Sequence, residues 1–139
     1  ADEDSDDIGD ACDNCPAFFN QEQQDLDEDG IGNLCDICPA NPDPEQLDTD
    51  EDTWGDACDN CPMMANKDQA DRDLDLVGNL CDNCPEDSNE DQFDVDNDEL
   101  GDVCDPDIDG DTLRNEEDNC PAMRNQEQRD GDEDGVGDV

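Results

Sequence analysis

Aspartate recurs in this chain at spacings that suit hard-cation chemistry. The string D-x-D-x-D-x-x-G-[DN]-x-C-D begins at Asp2 and restarts every 23 residues, at Asp25, Asp48, Asp71 and Asp94. Carboxylates on alternate residues of a short segment bring several hard oxygens to one point. Calcium takes about six to eight such ligands and tolerates irregular geometry. In each copy, positions 1, 3, 5, 9 and 12 carry Asp or Asn. These are ligand positions of a 12-residue calcium loop, in which position 7 contributes a backbone carbonyl.

The candidate ligands can be read copy by copy. The first loop supplies Asp2, Asp4, Asp6, Asp10 and Asp13, the second Asp25, Asp27, Asp29, Asn33 and Asp36, and the third Asp48, Asp50, Asp52, Asp56 and Asp59. The fourth supplies Asp71, Asp73, Asp75, Asn79 and Asp82, and the fifth Asp94, Asp96, Asp98, Asp102 and Asp105. A sixth loop out of the 23-residue register adds Asp107, Asp109, Asp111, Asn115 and Asp118; the last adds Asp130, Asp132, Asp134 and Asp138 and lacks its position 12. The position 7 carbonyls belong to Ile8, Ile31, Trp54, Val77, Leu100, Leu113 and Val136, whose apolar side chains are expected to cap the neighbouring segment rather than line a ligand pocket.

Position 6 is irregular. An EF-hand loop takes glycine there for its sharp turn. Gly30 and Gly135 comply, whereas Asp7, Thr53, Leu76, Glu99 and Thr112 do not. Either these loops turn by another route or some bind weakly, and the weakest is expected at 71–82, with Leu76 at the turn and uncharged Asn79 at position 9. Glycine at position 8, from Gly9 to Gly137, is expected to serve a positive φ or a close approach.

The elements that position these loops are not helices. Cys-Pro follows each bracket opening, at Pro16, Pro39, Pro62, Pro85 and Pro121, and only about ten residues separate it from the next loop, too few for a helix pair. Those linkers carry Asn20/Gln23, Asp43/Gln46, Asn66/Gln69, Asn89/Gln92 and Asn125/Gln128 at matched offsets. Their oxygens either order the linker or complete a coordination shell, and linker ordering is the preferred reading.

Composition explains why such devices are needed. Forty-eight acidic residues face five basic ones, for a net charge of −43, and only 3% of residues are aromatic. The apolar side chains are too sparse to offset an ordering entropy of roughly 1–2 kcal/mol per residue. Divalent cations and disulfides are the available substitutes for a core. One calcium per loop would leave a net charge of about −29 and two about −15, so self-repulsion favours about two ions per loop. The same charge argues against nucleic acid as a partner, and no apolar run is long enough to insert into a membrane. No signal peptide opens the chain, so a targeting signal is expected elsewhere.

The ten cysteines form C-x2-C pairs, the last pair being split by the sixth loop between Cys104 and Cys120. Pairing the second cysteine of one motif with the first of the next gives Cys15–Cys35, Cys38–Cys58, Cys61–Cys81 and Cys84–Cys104, each bracketing one loop. Closing about 21 residues removes roughly 3 kcal/mol of unfolded-state entropy. Under this scheme the partners of Cys12 and Cys120 lie outside the segment, which is expected to be cut from a longer chain. Zinc is a poorer reading, because histidine is absent and the intervening ligands are carboxylates. A redox thiol is poorer still, since carboxylates raise thiol pKa values.

The combination C-D-N-C-P-x3-N-x2-Q-x-D-x-D-x-D-G-x-G-[DN]-x-C-D resembles the type 3 repeats of thrombospondins and cartilage oligomeric matrix protein, over essentially the whole chain. The stretch from Cys104 to Cys120 resembles the long form of the repeat; Ile37 departs from the pattern by replacing the Asn of C-D-N-C. The resemblance implies a calcium wire: little regular secondary structure, EF-hand-like loops without helices, backbone wrapped around an array of calcium ions, disulfides joining successive repeats, and typically two ions per motif. Repeat boundaries are expected at 1–15, 16–38, 39–61, 62–84, 85–120 for the long form and 121–139 for a truncated copy. The function expected is a calcium-binding spacer of a secreted adhesive or matrix protein. Its partners would be calcium, extracellular matrix or cell-surface proteins, or copies of the chain itself. A repeating filament subunit, a calcium buffer and an acidic mineral-binding protein are the alternatives. No enzyme is expected, because no nucleophile stands with a base.

Overall fold

The computed structural model describes residues 1–138, so the expected last repeat, 121–139, ends outside the described residues at Val139. The chain divides into two compact units, Ala1–Gln69 and Ala70–Val139. Neither unit contains a helix or a strand among the described residues; the backbone is turns, bends and irregular segments.

Short polar side chains set these turns. Within each loop, an Asp carboxylate accepts the amide two residues on, the Asx turn that aspartate forms in place of regular structure. In the second loop Asp27 Oδ1 accepts the Asp29 amide at 3.3 Å and Asp29 Oδ1 accepts the Ile31 amide at 2.8 Å. Asp25 completes the curl, its Oδ1 accepting from Glu28 and its Oδ2 from Gly30. The same bonds recur around Asp94, to Asn97 and Glu99, in the second unit. Each linker opens on a β-turn with proline in its second position, where a fixed φ is favourable. The amides of Phe18, Asn41, Met64, Asp87 and Met123 donate to the carbonyls of Cys15, Cys38, Cys61, Cys84 and Cys120.

The route through position 6 is now defined. Its φ is positive in every loop: 75° at Asp7, 96° at Gly30, 90° at Thr53, 79° at Leu76, 79° at Glu99, 84° at Thr112 and 89° at Gly135. The loops without glycine therefore make the same turn, and the alternative of a different turn is excluded. Position 4 is left-handed as well, with φ of 65° at Glu28 and 65° at Leu74. Position 8 glycine serves the other role. A β-carbon on Gly32 would lie 2.7 Å from Cys15 Sγ and 2.5 Å from Asn14 Oδ1, and one on Gly55 would lie 2.7 Å from Cys38 Sγ. At Gly32 and Gly55, close approach to the disulfide bracket, not backbone handedness, excludes a side chain.

The brackets form as spacing predicts. Cys15–Cys35 and Cys38–Cys58 close loops in the first unit and Cys84–Cys104 closes one in the second. Cys61 and Cys81 are disulfide-bonded as well, whereas Cys12 and Cys120 are free thiols. The eight bracketing cysteines are thus committed to cystine, which removes the zinc and redox readings at those positions.

Among the described residues the buried apolar side chains are Cys15, Cys38, Cys61 and Cys84. Phe18, Phe19, Leu47, Met63, Leu76 and Phe93 are all exposed. The interior is instead carboxylate: Asp52 is 0% exposed, Asp6 1%, Asp109 2% and Asp111 4%.

Candidate metal centre

Each loop collects its acidic groups through the turns just described. Asp2, Asp4 and Asp6, then Asp25, Asp27 and Asp29, then Asp48, Asp50 and Asp52 in the first unit each bring oxygens within 4.8 Å of one another, as do Asp71, Asp73 and Asp75 in the second. These are positions 1, 3 and 5 of the expected ligand sets. The position 7 amide is held by the position 5 carboxylate, as with Trp54 and Asp52 at 2.9 Å.

Many of these oxygens are buried with nothing to bind. Asp4, Asp27, Asp50 and Asp109 at position 3 each leave Oδ2 without a hydrogen-bond partner, and Asp73 leaves both oxygens so. At position 12, Oδ2 of Asp36, Asp82 and Asp105 is likewise buried and unpartnered. A carboxylate oxygen shielded from water without a partner is unfavourable. Repeated at the same positions in successive loops, it marks these clusters as candidate cation seats, and the all-oxygen donor set suits a hard cation such as calcium.

Electrostatics agree. Loss of hydration pushes the carboxyls of Asp4, Asp27, Asp50, Asp73, Asp96 and Asp109 above the usual range, and neighbouring carboxylates add to the effect. In the Asp27 site those neighbours are Asp29, Asp36 and Asp25. A divalent ion would remove both causes.

Position 9, read from spacing as a ligand, also closes the loop. Asn33 Oδ1 accepts the Leu26 amide at 2.8 Å while its own amide donates to the Gln24 carbonyl at 2.9 Å. Asp56 does the same with Thr49 and Leu47, and the Thr49 hydroxyl donates to its Oδ2 at 2.6 Å. These bonds hold the Asp56 carboxyl below the usual range. Asp10, Asn79, Asp102, Asn115 and Asp138 accept from position 2 in the same way.

The linker pairs resolve into two roles. Every linker glutamine is an ordering group: Gln92 Oε1 accepts the Asn83 amide at 2.9 Å, and its Nε2 donates to Asp82 Oδ1 at 2.8 Å and to Asn89 Oδ1 at 2.9 Å. The Asn89 amide in turn donates to Asp75 Oδ2 at 2.7 Å. In the second loop, however, the asparagine is replaced by Asp43, and Asp29, Asp36 and Asp43 form a further acidic group within 4.8 Å. Asp43 Oδ2 is buried and unpartnered, and loss of hydration followed by Asp36 and Asp29 raises its pKa. Asp43 was absent from the spacing-derived ligand set, although an aspartate at an asparagine position was a visible signal.

The long form has its own logic. Position 13 of the short repeats offers an amide that the linker glutamine accepts, but after Asp105 this position is Pro106, which has no N–H. No glutamine is required, and the next loop starts at once with the Asp107 amide donating to Asp105 Oδ1 at 2.8 Å. Arg124 and Gln126 then hold that loop from the following linker, Arg124 through the Asp109 carbonyl and Gln126 through the Asp111 carbonyl at 2.9 Å.

Compared with known families, the chain matches the family model described as thrombospondin type 3 repeat three times, over residues 1–46, 47–92 and 93–128. No curated protein matches it.

Proposed function

Because the chain belongs to the thrombospondin type 3 repeat family, we propose that it is a spacer of an extracellular adhesive or matrix protein, ordered and stiffened by about two calcium ions per loop. Repeats of this family bind calcium and occur in extracellular proteins, and the cystine brackets suit that oxidising setting. The observation that carries the reading is the row of buried, unpartnered carboxylate oxygens where other folds have an apolar core.

Positions 1, 3, 5 and 12 would hold one calcium together with the position 7 carbonyl. Among the described residues, no hydrogen bond is made to the carbonyls of Ile31, Trp54 and Leu100, which supports that role. A second ion would use positions 5 and 12 with the linker, as the Asp29, Asp36 and Asp43 group illustrates. Bound calcium supplies the positive charge that lets these oxygens stay ionised and close together. The chain's own contribution is to preset their spacing through Asx turns and cystine brackets, while position 9 closes each loop.

Equilibrium dialysis with radioactive calcium, combined with hydrodynamic radius, tests this reading. About two ions per loop and a smaller, protease-resistant particle in calcium are expected. A stoichiometry near zero, or a radius indifferent to calcium, would exclude a calcium-ordered spacer.

A further inference from the structure

Within the first unit, the linker between loops 25–36 and 48–59 touches the candidate ligand side chains of loop 25–36 and leads within two residues of Gln46 into loop 48–59. Gln46 is its centre. Gln46 Oε1 accepts the Ile37 amide at 3.0 Å, and its Nε2 donates to Asp36 Oδ1 at 2.8 Å and to Asp43 Oδ1 at 2.7 Å. Its backbone is left-handed, with φ of 48°, and its amide donates to the Asp43 carbonyl at 2.7 Å. The Asp43 amide reaches Asp29 Oδ2 at 2.9 Å. One side chain thus fixes the Oδ1 edges of Asp36 and Asp43, which leaves their buried Oδ2 atoms unpartnered.

Beyond Gln46, the Leu47 carbonyl accepts the Asp56 amide at 2.8 Å, and Asp48 accepts the amides of Asp52 and Thr53 at 3.2 and 3.0 Å. The segment held by Gln46 is therefore the frame on which loop 48–59 closes. We propose that Gln46 is a positioning residue through which occupancy of loop 25–36 favours occupancy of loop 48–59. With Asp36 and Asp43 held at an ion, Gln46 would keep its bonds to both, and the ordered linker would present Leu47 and Asp48 in the geometry the next loop needs. By reciprocity, filling loop 48–59 favours filling loop 25–36 equally. This inference rests on the calcium-ordered reading above.

Trp54 makes the test local, because it is the only tryptophan, tyrosine is absent, and it occupies position 7 of loop 48–59. Terbium titrated into the full oxidised chain, with excitation of Trp54, reports that loop through sensitised emission, and calcium competition gives its affinity. Groups that orient metal ligands typically change affinity about 10–100-fold when removed, and coupling between sites spans about 5–150-fold. Gln46→Leu should therefore weaken ion binding at the Trp54 loop by roughly 5-fold or more, although it removes no group of that loop. Gln46→Glu keeps an acceptor for Ile37 but sets a carboxylate against Asp36, and should weaken binding similarly if the leucine variant does not fold.

Gln92→Leu makes the same deletion at Asp82 and Asn89 in the other unit, and the shift it causes at the Trp54 loop should be smaller than that of Gln46→Leu. A Gln46 variant that titrates like the unmodified chain overturns the coupling while leaving calcium binding intact. An equal shift in the Gln46 and Gln92 variants also overturns it, because the glutamines would then be general stabilisers. Absence of any calcium-competed emission from the unmodified chain would instead remove the calcium reading beneath it.

Discussion

Leu76 offers a direct measure of what the missing glycines cost. It sits at position 6 of loop 71–82 with φ of 79°, while its side chain is 74% exposed. A β-carbon in the left-handed region costs about 1–2 kcal/mol. Glycine there gives back part of this through the unfolded state, about 0.5–1 kcal/mol. So little of Leu76 is buried that its loss should remove well under the roughly 1.5–3 kcal/mol of a fully buried leucine. The amide that Leu76 donates to Asp71 Oδ2, at 3.1 Å, is backbone and survives substitution. Leu76→Gly should then tighten calcium binding at this loop by a net of about 0.5–1 kcal/mol, or roughly two- to five-fold. Leu76→Ala keeps the strain and drops the side chain, so it should show no gain. The assay is isothermal calorimetry of calcium into the oxidised chain, with cleavage near residue 76 by a leucine-independent protease as a local readout. Weaker binding in Leu76→Gly than in Leu76→Ala would refute the strain argument and identify Leu76 as a packing residue.

Four further outcomes are expected. Chelation should expand the oxidised chain and raise its protease sensitivity, because the buried carboxylates lose their counterions; light scattering showing one radius in both states would contradict this. In chelator, acidification should have the opposite effect. The carboxyls of Asp27, Asp50 and Asp43, among others, are raised above 3.8 in the compact state, so that state binds protons more tightly than the expanded one, and its stability rises as pH falls through the raised values. A calcium-free radius that does not shrink between neutral pH and the ordinary carboxylate range would oppose that sign. Gly32→Ala should destabilise the first unit by about 1–3 kcal/mol in thermal unfolding, since the added carbon meets Cys15 Sγ and Asn14 Oδ1. Asp43→Asn should lower the calcium stoichiometry or affinity of the first unit, and an unchanged isotherm would show that Asp43 takes no part.

The loops and their brackets were legible because both repeat with one period. A fixed 23-residue register ties each Asp string to a Cys pair, and only one pairing encloses every loop in the same way. Position 9 was harder to read. Spacing alone cannot distinguish an oxygen that faces an ion from one that accepts the position 2 amide, since both place Asp or Asn at the same residue. The turn at position 6 was misleading for another reason: glycine is the cheapest residue there, yet the Asp carboxylate at position 1 accepts the position 6 amide whatever the side chain. Five glutamines at matched offsets announced a role, but which atoms they join depends on the folded path. Pro106 shows how that path could have been inferred, because a residue without an amide appears where the glutamine is missing.

An interior of carboxylates makes the fold conditional in a way that an apolar core does not. Apolar burial is favourable in any aqueous buffer, whereas the groups around Asp52 and Asp109 repel one another until a cation is supplied. The disulfides lower the entropy of the alternative state but cannot neutralise this charge. Free energy from calcium therefore enters as RT ln(1 + [Ca]/Kd) for each seat, and calcium concentration becomes a term in stability. Extracellular modules bind calcium at about 10⁻⁴ to 10⁻³ M, a range in which extracellular calcium fills the seats and a low-calcium compartment empties them. A spacer built this way would be loose where calcium is scarce and stiff where it is plentiful, without any change in its covalent structure.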